Sequence, residues 1–516
     1  MLDVLFRNAR IVDGSGGPAF AADVAVSGGR IVAVGMSIAG GAARTIDATG
    51  SVLSPGFIDV HAHSDLSLLT DPRNEPKVRQ GITTELLGAD GLSYAPLTAP
   101  RLAEVRRYLS GLYGDPEVEV PSGTVRSFLA RLDGQTATNV FYVVPHQALR
   151  LSVRGWSGGA ASMAELDQMA DLLREGLGHG ALGLGTGLDY FPHGTGTTDE
   201  LVALSSVVAE RDGVLVIHVR YNAVGVMDAV REVVEVAERS GVRVLISHLR
   251  NAEVLPLIDE ARGRGLDIQF DTYPYTAGSA MFLTYLPFWM HEGGPDRLLD
   301  RLRDRGLRER LRAERYPRLS RDLETIVIGN VGAAAVLRPY LGRSLGSIMR
   351  ERGQQDPVDT VCDLLLETDL AAGFIAHGGT EESLRECILH PAHMVSTDAL
   401  LIGRPHPRTY GTYPRYLGRY VRELGLLGLE QCVQKMTSIP ARCFGLADRG
   451  LIREQMAADL VLFDPEMVLD RATYEDPHQY PDGISHVVVN GKLVVDGGVH
   501  SGALPGRVLY GPGATT

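Results

Sequence analysis

A chain of 516 residues, 44% apolar and 22% charged, can bury a large core and supports more than one domain. Its net charge of −13, with basic residues scattered along the chain, argues against nucleic acid as a partner. No run of about 18 apolar residues occurs, so no membrane span is expected.

The opening MLDVLFRNARIVDGSGG lacks a basic segment followed by a long apolar run, so no secretory leader is expected. Segments 1–55, including VLFRNARIVDG and ADVAVSGGRIVAVG, alternate apolar and polar residues between glycine turns, the pattern of strands and hairpins. From 56 to 445 the texture changes. Short apolar runs alternate with helical stretches such as ASMAELDQMADLLREGLGHG and VMDAVREVVEVAERSG, which implies parallel strands joined by crossover helices. About eight such units favour a (β/α)8 TIM-like barrel over a doubly wound sheet, since no GxGxxG follows the first strand. The glycine-rich GALGLGTGLDY is a weak signal without a phosphate-loop lysine. Residues 281–342, rich in Arg and Leu, read as helices with solvated charged faces or as a lid inserted over the barrel mouth. The run AGFIAHGG leaves the strand count between eight and nine. At 446–516 the β texture returns in ADLVLFDPEMV and in VNGKLVV, an Asn-Gly hairpin signal. The expected fold is therefore α/β: a (β/α)8 barrel, a small β-sandwich domain built from residues 1–55 and 446–516, and an inserted helical lid. Cys362, Cys387, Cys432 and Cys443 show no paired spacing, so reduced thiols in a cytoplasmic protein are expected.

Polar residues end several of the expected strands. FIDVHAHSD carries His61 and His63, which alternation along a strand places on one face. GITTELLGA leads to Asp90, NVFYVVP to His146, GVLVI to His218, VRVLIS to His248, LDIQF to Asp271 and AHMVST to Asp398. In barrels of this class such ends share one rim. A rim of imidazoles and carboxylates suits a divalent cation that acidifies water, with a nearby carboxylate as general acid and base. Asp398 is the candidate for that role. No GxSxG elbow and no strand-ending cysteine offers a competing nucleophile. Asp65 is expected to fix a ligand's geometry, His146 to orient a ligand or pack beneath the site, and Asp271 to be structural. Arg408 and Tyr410 either shape the pocket or anchor their segment to the barrel.

PGFIDVHAHSD, VIHVR, ISHLR, VSTDA and HPRTYGTYPRYLGRYVRE together resemble the amidohydrolase superfamily, and within it the D-aminoacylase (N-acyl-D-amino-acid deacylase) family. The resemblance spans nearly the whole chain. It implies a metal-dependent hydrolase that cleaves the linear amide of N-acyl-D-amino acids. It also implies His218 and His248 as ligands of a tight zinc site, His61 and His63 beside a second metal position, and Asp398 as acid/base. Tyr190 and Arg250 match positions that hold the carboxylate of a small anionic substrate. Two departures stand out. Asp90, in Ala89-Asp90-Gly91, occupies the family's cysteine position, and Arg250 replaces a usual lysine. A harder oxygen donor at position 90 opens the site to Mn2+ or Co2+ as well as Zn2+, with one or two ions bound. The departures also leave room for a cyclic amide, a lactone or ester, or a specialised natural-product amide as substrate. A barrel that only binds its ligand is a further alternative, which the presence of His218, His248 and Asp398 disfavours.

Overall fold

Short runs of Val, Ile, Leu and Phe are buried from both sides and pair in parallel, as continuous apolar strands do when helices cover them. The computed structural model describes residues 1–319, 322–512 and 514; positions 320 and 321 of the expected lid, and 513, 515 and 516 of the expected terminal β region, lie outside the described residues. Phe57–Asp59, Ile82–Leu87 and Asn139–Tyr142 form one parallel set. Val144–Pro145, Gly183–Gly187, Val214–His218, Arg243–Ile246, Ile268–Thr272 and His393–Val395 form another. Only Val143 separates Asn139–Tyr142 from Val144–Pro145, so the two sets meet there. The last strand also returns to the first: Ala399–Leu400 pairs in parallel with Ala62–His63, and the Asp398 amide donates to the His61 carbonyl at 2.8 Å.

The connecting helices show why their segments fold as they do. In Val226–Ser240 the residues Ala229, Val230, Val233, Val234, Val236 and Ala237 are buried, one stripe at three- and four-residue spacing. Gly241, at φ +71°, ends the helix in the left-handed conformation that glycine adopts without a Cβ clash.

Both chain ends contribute to one nine-stranded sheet. Leu460–Phe463 runs antiparallel to Val52–Pro55, and Ile484–Val489, Lys492–Asp496 and Val499–His500 extend the sheet beyond it. Between Ile268–Thr272 and His393–Val395 lies a separate antiparallel sheet of Gly278–Met281, Ala372–Ala376 and Ile326–Val331. The AGFIAHGG run is its middle strand and takes no part in the parallel sets. The Arg-rich helices Pro295–Arg303 and Arg305–Leu319 are not simply solvated. Arg308 pairs with Asp359 at 3.1 Å and Asp363 at 2.7 Å on the helix Pro357–Glu367, and Arg310 stacks 4.1 Å from the Trp289 ring centre. Among the described residues no helix is long and apolar enough to cross a membrane. All four cysteines are free and buried.

Candidate metal centre

The C-terminal ends of the parallel strands bring six chemically active side chains to one place. Asp90 lies at its centre. Its Oδ1 is 3.5 Å from His61 Nε2 and 3.9 Å from His248 Nε2, while its Oδ2 is 3.7 Å from His63 Nε2 and 3.8 Å from His218 Nδ1. Asp398 Oδ1 stands 3.4 Å from His63 Nε2 and 3.7 Å from His61 Nε2. His218 Nδ1 and His248 Nε2 face each other at 2.9 Å. Three overlapping triads result: His61, His63, Asp90; Asp90, His218, His248; and His61, His248, Asp398.

Both ring nitrogens of His61, together with Asp90 Oδ1, are buried without a hydrogen-bond partner; Nδ1 faces Asp271, whereas Nε2 and Asp90 Oδ1 face the cluster 3.5 Å apart. Buried polar atoms are ordinarily paired, so two unpartnered atoms turned to the same space are a donor set that fits a cation. The set is all nitrogen and oxygen, suited to zinc, manganese or cobalt. Burial opposes charge on His61, but the carboxylates of Asp90, Asp271 and Asp398 outweigh it and hold the ring well above the ordinary histidine range. Burial likewise opposes charge on Asp90, yet His61, His248 and His218 hold it well below the carboxylate range.

Local backbone geometry aims these groups. Asp90 (φ +56°), His248 (φ +39°) and Asp398 (φ +47°) all occupy the left-handed region. Side chains rarely adopt it, and such strain concentrates where surrounding structure enforces it at functional sites. The enforcing contacts are visible. The His248 amide donates to Asp271 Oδ1 at 3.1 Å, the Asp398 amide to His61 O, and the Asp90 carbonyl accepts from His193 Nε2 at 3.1 Å. The loop bearing Asp90 passes against the strand Gly183–Gly187 with no room for side chains. A Cβ at Gly187 would lie 2.6 Å from the Asp90 carbonyl oxygen, and one at Gly185 would strike that of Gly88. The glycine-rich run thus makes space for the Asp90 loop.

A cavity of about 350 Å3 opens over the cluster, its wall including His63, Asp90, Tyr190, His218, His248, Arg250 and Asp398. Tyr190 Oη lies 3.5 Å from Asp90 Oδ2. Arg250 Nη1 donates to the carbonyls of Thr276 and Ala277 at 3.0 and 2.9 Å. Arg408, fully buried, sets Nη1 2.8 Å from Asp398 Oδ2. The guanidiniums of Arg250 and Arg408 lie 4.8 and 4.4 Å from the Tyr273 ring centre.

Comparison with known proteins agrees with this geometry. The family model described as "Amidohydrolase family" matches residues 44–495. The chain belongs to the amidohydrolase family. An N-acyl-D-aspartate deacylase of Alcaligenes xylosoxydans xylosoxydans is 35% identical, over 98% of this chain and 95% of that one. The crystal structure of an N-acyl-D-glutamate deacylase from Bordetella bronchiseptica, complexed with zinc and a phosphonate mimic of the tetrahedral intermediate, superposes with a TM-score of 0.84 at 34% identity, covering 99% of each chain. A D-aminoacylase structure that addresses a binuclear metal centre gives 0.82 at 33% identity, covering 99% of this chain and 100% of that one.

In this amidohydrolase the remaining candidates stand outside the cluster. Asp65 accepts from the Gly88 amide and from Ser93 and Tyr113 hydroxyls, holding the base of the Asp90 loop; burial pushes its carboxyl up to about 6. Tyr410 is away from the cavity, its ring against His478 and Tyr480. His146 does not join the cluster. Its ring bridges Thr186 and Glu200, and Arg150 grips the same Glu200 at 2.6 and 2.8 Å. Asp271, expected to be structural, sets Oδ2 3.8 Å from His61 Nδ1. Two contributors escaped sequence reasoning: Asp189 Oδ2 lies 3.2 Å from His218 Nε2, and Lys77 is wholly buried beneath the site. Neither carried a signal.

Glu200 gives a pH test. Burial raises its carboxyl, but His146 and Arg150 overcome that and bring it to about 2 from 4.5. A depressed carboxylate stabilises the fold fully above its unfolded value and loses that contribution as pH falls through the folded one. Urea unfolding should therefore show a stability gap between wild type and Glu200→Gln on the order of 3 kcal/mol near neutrality. The gap should close as pH falls from about 4.5 to about 2. Parallel stability curves for the two proteins across that window contradict the assignment.

Proposed function

We propose that this chain is a metal-dependent hydrolase that cleaves the linear amide of N-acyl-D-amino acids, releasing a carboxylate and a free amine. The observation that carries the reading is the convergence of four histidines, Asp90 and Asp398 at one cavity. Similarity to deacylases of N-acyl-D-aspartate and N-acyl-D-glutamate over nearly the full chain supports it. In this reading the parallel strands are a (β/α)8 barrel, the sheet shared by both chain ends is a small companion domain, and the insertion before the last strand is a lid. The buried free thiols suit a reducing, cytoplasmic setting.

His61, His63, Asp90, His218 and His248 would hold one or two divalent ions, with zinc foremost. A cation bound there supplies Lewis-acid polarisation of the acyl carbonyl and of attacking water. The protein's own groups do the rest. Burial alone would raise Asp398, but Arg408 first, then His63 and His61, keep it well below the usual carboxylate range. Asp398 is therefore ionised before reaction, the state a proton acceptor requires. It takes the proton of the attacking water and delivers it to the amide nitrogen as the C–N bond breaks. Tyr190 and Arg250 orient the substrate carboxylate, for which a guanidinium offers a planar, permanently charged donor pair.

The commitment of Arg250 Nη1 to backbone carbonyls favours retaining a second substrate class, cyclic imides, in the test. Amine release from N-acyl-D-amino acids should be at least about 100-fold faster than amine release from their L-enantiomers or than ring opening of cyclic imides, followed by loss of imide absorbance. Chelation should abolish it, and Zn2+, Mn2+ or Co2+ should restore it. Undiminished turnover after verified metal removal refutes the proposal.

A further inference from the structure

We propose that Asp189 is a positioning residue for His218, fixing which ring nitrogen of that histidine faces the metal centre. The inference rests on the reading of His218 as a metal ligand. His218 has two ring nitrogens with different neighbours. Nδ1 points into the cluster, 2.9 Å from His248 Nε2 and 3.8 Å from Asp90 Oδ2. Nε2 points away, 3.2 Å from Asp189 Oδ2. A carboxylate has no proton to give at that contact, so the N–H must belong to Nε2. Nδ1 is then left with its lone pair directed at the site, and the ring gains basicity from the charged acceptor behind it.

The carboxylate is itself held. Asp189 follows the strand Gly183–Gly187, and the neighbouring Leu188 amide donates to the His218 carbonyl at 2.8 Å, which locks the two segments in register. Asp189 Oδ2 also accepts from Asn222 Nδ2 at 2.7 Å, and Oδ1 from the Asn222 amide at 3.2 Å. The side chain of Asp189 is only 6% exposed, so solvent competes weakly for these bonds. Asn222 lies on the cavity wall just after the strand carrying His218. One buried carboxylate therefore ties the ligand ring to the short helix Tyr221–Val224 on the cavity wall. Nothing else presents an acceptor to His218 Nε2 among the contacts of the described residues.

The test measures zinc affinity of the full chain by competition with a chromophoric chelator, alongside thermal unfolding of the metal-free protein. Asp189→Asn and Asp189→Leu should each weaken the tightest zinc equivalent about 10- to 100-fold, with the larger loss for Leu, while metal-free unfolding stays near wild type. Asn222→Ala, which leaves the carboxylate in place, should weaken it less than either. Wild-type zinc affinity in both Asp189 variants, or a loss matched by a lowered metal-free unfolding temperature in both, overturns the proposal. His218→Ala separates the premise from the inference: unchanged zinc binding in that variant removes His218 as a ligand, and Asp189's role with it.

Discussion

Replacing Asp398 with Asn is expected to lower kcat by about 10²- to 10⁴-fold, the contribution of a well-placed general acid/base, without loss of bound zinc from the folded protein and with a smaller loss of thermal stability than alanine causes. Asn is the informative choice because of Arg408. That guanidinium is fully buried, with Nη1 2.8 Å from Asp398 Oδ2. Both substitutions remove the charge that faces it, but alanine also strands the guanidinium without an acceptor and destabilises the fold more, confusing an unfolded fraction with lost chemistry. An amide keeps the shape and one acceptor oxygen, but it cannot carry the proton. Because Arg408 and the histidines hold the wild-type carboxyl low, the proton-accepting form persists far into acid. Loss of activity between pH 7 and 5 should then trace to other groups. Near-normal kcat in a folded, zinc-loaded Asp398→Asn protein removes Asp398 from the chemistry and leaves the hydrolase reading without its proton carrier.

The parts of this site that are legible from sequence obey a simple rule. His61, His63, Asp90, His218, His248 and Asp398 each follow a short apolar run, and parallel strands deliver their C-terminal ends to one rim. Alternation and the Asn490-Gly491 pair likewise mark the strands near both chain ends. What escapes is set by three-dimensional crowding and burial. Gly183, Gly185 and Gly187 read as a weak loop motif, yet they form a strand, because the demand for glycine comes from distant backbone: the Asp90 loop, about a hundred residues earlier in the chain, at Gly185 and Gly187, and the adjacent strand at Val214 for Gly183. Asp189 sits in an ordinary-looking Leu-Asp-Tyr, and only the fold sets its carboxylate behind His218. The Arg-rich stretch reads as a solvated face because charge runs usually are one. Its partners Asp359 and Asp363 come from a helix some fifty residues on.

Lys77 is the furthest from legible, and its removal should have the largest effect on stability: Lys77→Met is expected to cost about 3–5 kcal/mol, the range for breaking a buried ion pair by deleting one partner. It lies in the short helix Glu75–Val78 between Arg73 and Arg79, where a lysine would ordinarily be solvated, yet its side chain is fully buried. Its Nζ donates to Asp59 Oδ2 at 2.6 Å and to Thr397 Oγ1 at 2.7 Å, and stands 3.8 Å from Glu85 Oε2. Asp59 Oδ1 in turn accepts from the Thr397 amide at 2.9 Å, so this one carboxylate joins the strand before His61 to the residue before Asp398. Methionine fills the same space but leaves two buried carboxylates facing each other without a cation. The damage should be electrostatic, not steric. Adding Asp59→Asn to Lys77→Met should therefore recover part of the loss, a coupling that a double-mutant cycle in urea measures directly. The register between His61 and Asp398 depends on the same bonds, so Lys77→Met should also weaken zinc binding where the protein remains folded. Additive losses in the cycle, with zinc affinity unchanged, show instead that the buried charges act independently and that the metal centre is held by its own loops.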